Sequence, residues 1–516
     1  MTEPATRASG LLLHPTSLPG GHGLGDLGPE AHRFVDLLAA AGQSLWQVMP
    51  LGPPGFGESP YAARSAFAGN PLLISLDLLA EDGLLDQDEL VGAPEATAMV
   101  DFAAVDRFKG AALRRAVARL LADGAGRAEL DRYRDANASW LDDFCLFMAL
   151  RERHPGAWTD WPAPLVRRVP DALAGARAEL DGAVTFHAAV QYLFERQWGA
   201  LRRAANERGV RIIGDVPIFV AHDSADVWAH QDLFYLDGAG LPTVVAGVPP
   251  DYFSATGQRW GNPLYRWEVH RRQGFGWWAD RFGATLAAVD IIRIDHFRGF
   301  EATWHVPAAE TTAKNGAWVP TPGDELFAAV RARVGALPVI AEDLGLITPA
   351  VDALRERLGF PGMKVLQFAF GGRPANPYLP HNHEARCTVY TGTHDNDTTA
   401  GWYATADDKT RDHVRRYFGV DGQDIAWDLI RAALGSVAET AIIPVQDVLS
   451  LGSEARMNLP GRPTGNWGWR LGRGQFREEH AARLRALTAL YGRLSDDATG
   501  VGEAVGAAAK DEAPAG

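Results

Sequence analysis

The sequence predicts an α/β fold of the (β/α)8 TIM-barrel type, on three observations. Eight short apolar runs recur along the chain, each ends in polar residues, and helix-spaced patterns stand between most of them. Strands alternating with helices form parallel βα units. In a barrel of eight such units the site is built at the strand C-termini, which is where polar residues collect here. A doubly wound open sheet would use fewer parallel strands and need a phosphate-binding turn, and neither G-x-G-x-x-G nor G-x-x-x-x-G-K-S/T follows a strand.

In chain order the runs are GLLLHP to His14, LWQVMP around Gln47, RIIGDVP to Asp215, IIRIDH to Asp295, LPVIAED to Glu342, MKVLQFAF around Gln367, TVYTGTHD to Asp395, and TAIIPVQD to Gln446 and Asp447. Segments such as EAHRFVDLLAAAG and PAVDALRERLG are apolar at helical spacing and stopped by Gly. From about 72 to 205 the chain is mostly amphipathic helix, predicting a helical insertion after the second strand. From about 220 to 285 it reads as loop-rich, with GVPPDYFSATGQRWGNPLY at its centre. Both insertions are expected to wall the barrel mouth. Residues 1–494 are thus expected to form a single catalytic barrel, and 495–516, small and polar without periodicity, a disordered tail.

Bulk properties narrow the function. A formal net charge of −14 without any basic block argues against nucleic acid and anionic membrane as partners. No signal-peptide core and no run of 18 apolar residues occurs, so a cytoplasmic location is expected. Cys145 and Cys387 are too few for a disulfide framework or a zinc cluster and read as buried small apolar residues. The chain is rich in aromatics, with sixteen Trp and eleven Tyr. Trp46, Tyr61, Trp228, Tyr252, Phe253, Trp260 and Trp467 lie in stretches rich in Gly, Pro and Asn, suggesting a surface that stacks on flat ligands.

The run IIRIDHFRGF tips a buried strand with Arg293, Asp295, His296 and Arg298. Arg293 and Asp295, two apart, project to one face, either as a structural ion pair or as part of a site. Asp295, Glu342 and Asp395 end three different strands and converge in a barrel. Two carboxylates facing one bond perform glycosyl transfer when their environments push their pKa values apart. Arg293 is expected to keep Asp295 ionised, whereas Glu342, following Ile340 and Ala341, has no cation nearby in sequence and is free to be raised. Asp295 then attacks and Glu342 protonates. Acids from three strand ends also build the Mg²⁺ site of enolase-type barrels. Such sites want a Lys or His base and an anionic substrate, and the loops here offer aromatics instead.

RIDHFRGFEA, VIAEDLG and YTGTHDNDTTAGWY, together with SPYAARSAFAGNP, GDVPIFVAHDSADVW, DYFSATGQRWGNPLY and VQDVLSLGSEARMNLPGRPTGNWGWR, resemble the 4-α-glucanotransferases called amylomaltases or disproportionating enzymes, glycoside hydrolase family 77. The resemblance runs from about Gly10 to about Leu494. It implies a barrel related to the α-amylases, retaining double displacement, and transfer of α-1,4-glucan segments between maltodextrins, with no cofactor or metal and with a monomer or small homo-oligomer expected. Carried over by motif, Asp295 is the nucleophile, Glu342 the general acid/base and Asp395 the carboxylate on the sugar's 2- and 3-hydroxyls. Arg293 and His394 match supporting donors, Tyr61 and Asp215 residues beside the reacting sugar, and Tyr252, Phe253 and Trp260 a loop covering the bound chain. The sequence departs from the family pattern at Thr303 and His305 and in a shorter loop before the seventh strand. An α-glucan hydrolase shares the chemistry and differs in what intercepts the intermediate.

Overall fold

The computed structural model describes residues 7–250 and 254–495. The predicted tail therefore falls outside the described residues except for Ser495, and so do Tyr252 and Phe253. Twelve strands follow in order: β1 Ala8–Leu12, β2 Leu45–Gln47, β3 Arg211–Pro217, β4 Val244–Val248, β5 Gln258–Pro263, β6 Ile291–Asp295, β7 Ala302–Pro307, β8 Ala317–Pro320, β9 Val339–Ala341, β10 Gly362–Val365, β11 Cys387–Tyr390 and β12 Thr440–Pro444. Eight of them, the eight predicted runs, form one parallel sheet in the order β10-β11-β12-β1-β2-β3-β6-β9. The edge strands β9 and β10 meet through the Ala341 N–H, which donates to the Pro361 carbonyl at 2.9 Å. The sheet is a nearly closed (β/α)8 barrel.

Alternation along the strands fills both faces. Leu45, Ile213, Ile340, Met363, Tyr390 and Ile442 pack on one another inside the barrel. Leu11, Trp46, Ile212, Ile292, Val389 and Ile443 join the core shared with the surrounding helices. A sheet buried on both sides needs the continuous apolar runs seen in the sequence. β1 and β2 approach so closely that a Cβ on Gly10 would lie 2.3 Å from the Leu45 carbonyl oxygen, so only glycine fits there.

Between β2 and β3 run the helices Phe102–Ala122, Gly124–Ala136, Leu141–Arg153 and Asp181–Glu207, with shorter ones between. Asp101 and Asp123 cap the first two by accepting from Ala104 N (2.9 Å) and Gly126 N (2.9 Å). The long helix Asp181–Glu207 grips the chain after β2 with two amides: Gln191 holds the N–H and carbonyl of Gly69, and Gln197 those of Ser75.

The stretch 220–285, read from sequence as loops, contains β4, β5 and the helices Trp267–Arg272 and Gly276–Ala288. β4 and β5 belong to a second, antiparallel sheet, β5-β4-β7-β8. Its strands are short, and β5 carries Gly261 and Pro263 at a sheet edge, so alternation was too brief to register. Trp46 and Trp228, expected among ligand-stacking aromatics, are fully buried, with indole N–H groups donated to Leu13 O (2.8 Å) and Leu165 O (3.0 Å). Both are core residues because Trp46 lies on the barrel strand β2 and Trp228 on the short helix Ala225–Ala229, each with its ring in the main core. Cys145 and Cys387 are buried and free. Among the described residues no helix is long and apolar enough to cross a membrane.

Candidate active site

The register of β3, β6 and β9 sets the first part of the site. Asp215 and Arg293 are direct partners across β3 and β6, and Ile294 pairs with Ala341 across β6 and β9. The next residues, Asp295 and Glu342, therefore leave the barrel side by side. Arg293, 3% exposed at its side chain, donates through Nη1 to Asp215 Oδ2 (2.5 Å) and Asp295 Oδ1 (3.2 Å), and the Tyr61 hydroxyl donates to the same Asp215 oxygen at 2.8 Å. Burial works against the Arg293 charge, but Asp215 and Asp295 together hold its pKa well above the ordinary value. Burial and the Asp215 charge likewise keep the Tyr61 hydroxyl protonated.

Glu342 accepts two backbone N–H groups, from His296 (to Oε2, 2.7 Å) and from Leu344 (to Oε1, 3.0 Å). His296 presents its N–H in a left-handed conformation, φ 53° and ψ 51°, which a non-glycine residue adopts at a cost of about 1–2 kcal/mol. Despite those two donors, burial first and the Asp295 charge second raise the Glu342 pKa to about 8. Asp295 is raised to about 6, by burial first, with Arg293 opposing and Asp215 and Asp395 adding to the rise. Arg293 lowers the Asp295 proton affinity in the expected direction, but burial outweighs it and it is shared with Asp215, whose charge offsets part of its pull. With 30% of its side chain open to the cleft, Asp295 still sits below Glu342 in proton affinity, so near neutral pH it is ionised while Glu342 holds its proton.

The third carboxylate comes from the loop after β11. Asp395 Oδ1 accepts from Asn458 Nδ2 at 2.6 Å, and Oδ2 lies 3.5 Å from His394 Nε2. Arg456 locks this corner by donating to the Asp395 carbonyl and the Asn458 carbonyl, both at 2.7 Å. The His394 ring stacks on Tyr61 (centroids 5.1 Å, 18°), and Trp467 leans on both. Behind His394 lies His14, pushed down to about 3 by burial and by His394, and therefore neutral.

Tyr61, Asp215, Arg293, Asp295, Glu342, His394 and Asp395 are thus joined by contacts at one end of the barrel. Trp260, on β5, meets them through His296, ring edge to face at 4.8 Å, and remains 36% exposed. Asp447, in the short helix Val445–Val448 that follows β12, is 1% exposed and spends its oxygens on Thr391 Oγ1, Thr399 N and Thr399 Oγ1. It ties two loops together. Asn458 and Arg456 escaped sequence reasoning. The only signal was EARMN following the eighth apolar run, and nothing local there marks a partner of Asp395. Thr303 and His305 pair with each other on β7 (Oγ1 to Nε2, 3.0 Å). Among the described residues no group of three or more His, Cys, Asp or Glu side chains is arranged to hold a metal ion.

Known proteins match nearly the whole chain. A family model described as 4-alpha-glucanotransferase matches residues 13–474. A 4-alpha-glucanotransferase of Thermus thermophilus is 53% identical over 499 residues, 95% of this chain and 99% of that protein. One from Synechocystis sp. is 50% identical over 495 residues, 94% of this chain and 98% of its own length. Among solved structures, an amylomaltase from Streptococcus agalactiae in complex with acarbose superposes with a TM-score of 0.92 at 38% identity, covering 95% of this chain and all of that one.

Proposed function

Because the chain belongs to the 4-alpha-glucanotransferase family, glycoside hydrolase family 77, and is a glycosyltransferase of that kind, we propose that it moves α-1,4-glucan segments from maltodextrin donors to glucose or glucan acceptors by retaining double displacement. The observation that carries the mechanism is the pairing of Asp295 and Glu342 at adjacent strand ends with unequal proton affinities, about 6 and about 8. In the first step Asp295 attacks the anomeric carbon while Glu342 gives its proton to the departing glycosidic oxygen, forming a covalent glucosyl-Asp295. Glu342, now a carboxylate, takes the proton of the incoming acceptor hydroxyl as that hydroxyl displaces Asp295. Arg293 and Asp215 hold Asp295 in line, and the Tyr61 ring offers a stacking face beside the reacting sugar. Asp395, oriented by Asn458 and His394, accepts from the sugar's 2- and 3-hydroxyls as the ring flattens toward the oxocarbenium-like transition state.

Trp260, on β5, supplies the acceptor platform. Stacking there favours a sugar over water as the second-step nucleophile. Incubation with maltotriose separates the outcomes. Longer maltodextrins plus glucose are expected from transfer. Equal amounts of maltose and glucose would indicate a hydrolase and overturn the reading.

A further inference from the structure

A cavity of about 190 Å³ lies where the helix Leu141–Arg153 and the chain after β2 meet the helix Gly276–Ala288. Its walls are aromatic. Phe67 and Trp140 lie ring parallel to ring (centroids 6.0 Å, 13°), and Trp277 meets Phe67 edge-on at 6.1 Å. Asp143, Asp226 and Gln273 also line it. Asp226 is 4% exposed and accepts from Ala66 N at 2.8 Å, and burial raises its proton affinity. Trp277 is 8% exposed, and its indole N–H has no hydrogen-bond partner, an unsatisfied donor of the kind that folded proteins rarely keep. None of these six residues takes part in the chemistry described above.

The combination selects a ligand class. Aromatic faces pack on the C–H face of a sugar ring, while carboxylate and amide oxygens accept from its hydroxyls. A simple cation is a poorer fit, since Asp143 is already paired with Arg168 (2.8 Å) and Arg177 (3.1 Å). An anion would face carboxylates. The volume falls below the roughly 300–1,000 Å³ of pockets that enclose a whole drug-sized ligand, so it suits one ring and not a chain. Ser139 and Gln273, both exposed, leave the mouth open for the remainder of an oligosaccharide to extend into solvent.

We propose that this cavity is a second, non-catalytic site for one glucosyl unit of an α-glucan. The identity of the ligand rests on the α-glucan reading of the catalytic cleft. The test is a calorimetric titration of the full-length Asp295→Asn variant, which cannot turn over, with maltose. Two binding phases are expected. Adding Trp140→Ala weakens one phase at least tenfold and leaves the other unchanged. Ala229→Leu, which adds bulk to the cavity wall without removing a polar group, does the same, and thermal melts check that both variants fold. A single phase in the parent, or two phases untouched by both substitutions, overturns the inference while the cleft reading stands. No binding of maltose in any variant overturns the α-glucan reading itself, and the inference with it.

Discussion

In the proposed mechanism Asp295 and Glu342 carry the reaction through a difference in environment between two similar groups, so the rate should follow their titration. Activity is lost below about 6 as Asp295 takes a proton and ceases to be a nucleophile, and above about 8 as Glu342 gives up the proton it must donate. A bell-shaped profile of kcat/KM with limbs near those values is expected, the limbs belonging to the coupled pair. Glu342→Gln and Asp295→Ala should each lower kcat by orders of magnitude while maltodextrin affinity is largely kept, because both act in the transition state. A Glu342→Gln enzyme within tenfold of wild type would remove the assignment. Asn458 contributes one hydrogen bond to a charged acceptor, worth about 1.5–3 kcal/mol. Asn458→Ala should therefore reduce kcat roughly ten- to hundredfold, read from steady-state rates on maltotriose, with the fold unchanged by circular dichroism.

At the scale of elements, β5 and the turn after β6 work as a unit. Trp260 rests on the His296 ring, and the His296 backbone N–H reaches Glu342, so in the proposed mechanism an acceptor stacked on Trp260 would be linked through His296 to the proposed proton donor. Losing that ring removes a contact of about 1 kcal/mol, a change of about fivefold in acceptor capture. Trp260→Ala should raise the ratio of hydrolysis to transfer on maltotriose by that factor while the glucosyl-enzyme still forms. An unchanged ratio would mean that water is excluded elsewhere. The barrel strands were legible because each is a short apolar run with a polar tip. β4 and β5 were not, since both are short and interrupted by Gly, and β5, at the sheet edge, also contains Pro.

Across the whole molecule, one buried ion pair fastens the helices between β2 and β3 to the barrel. Lys109 is fully buried and donates to Asp26 Oδ2 (3.0 Å), Leu72 O (2.7 Å) and Ile74 O (2.9 Å). Removing one partner of such a pair leaves a buried charge uncompensated at a cost of about 3–5 kcal/mol. Lys109→Met should lower the urea midpoint accordingly, and adding Asp26→Asn should recover part of the loss. Sequence alone determined the barrel class and the eight strands, because strand pattern is local and is written into a few consecutive residues, and it nominated the three acids and, by family motif, their companions as candidates. What required the tertiary structure are the pairings of residues far apart in the chain. These are the division of Arg293 between Asp215 and Asp295, the donation of His296 N–H to Glu342, the hold of Asn458 on Asp395, and the burial of Trp46 and Trp228 against Leu13 and Leu165. Each depends on which strand ends become neighbours and how much water is removed between them, and both are set only when the sheet closes and buries the site.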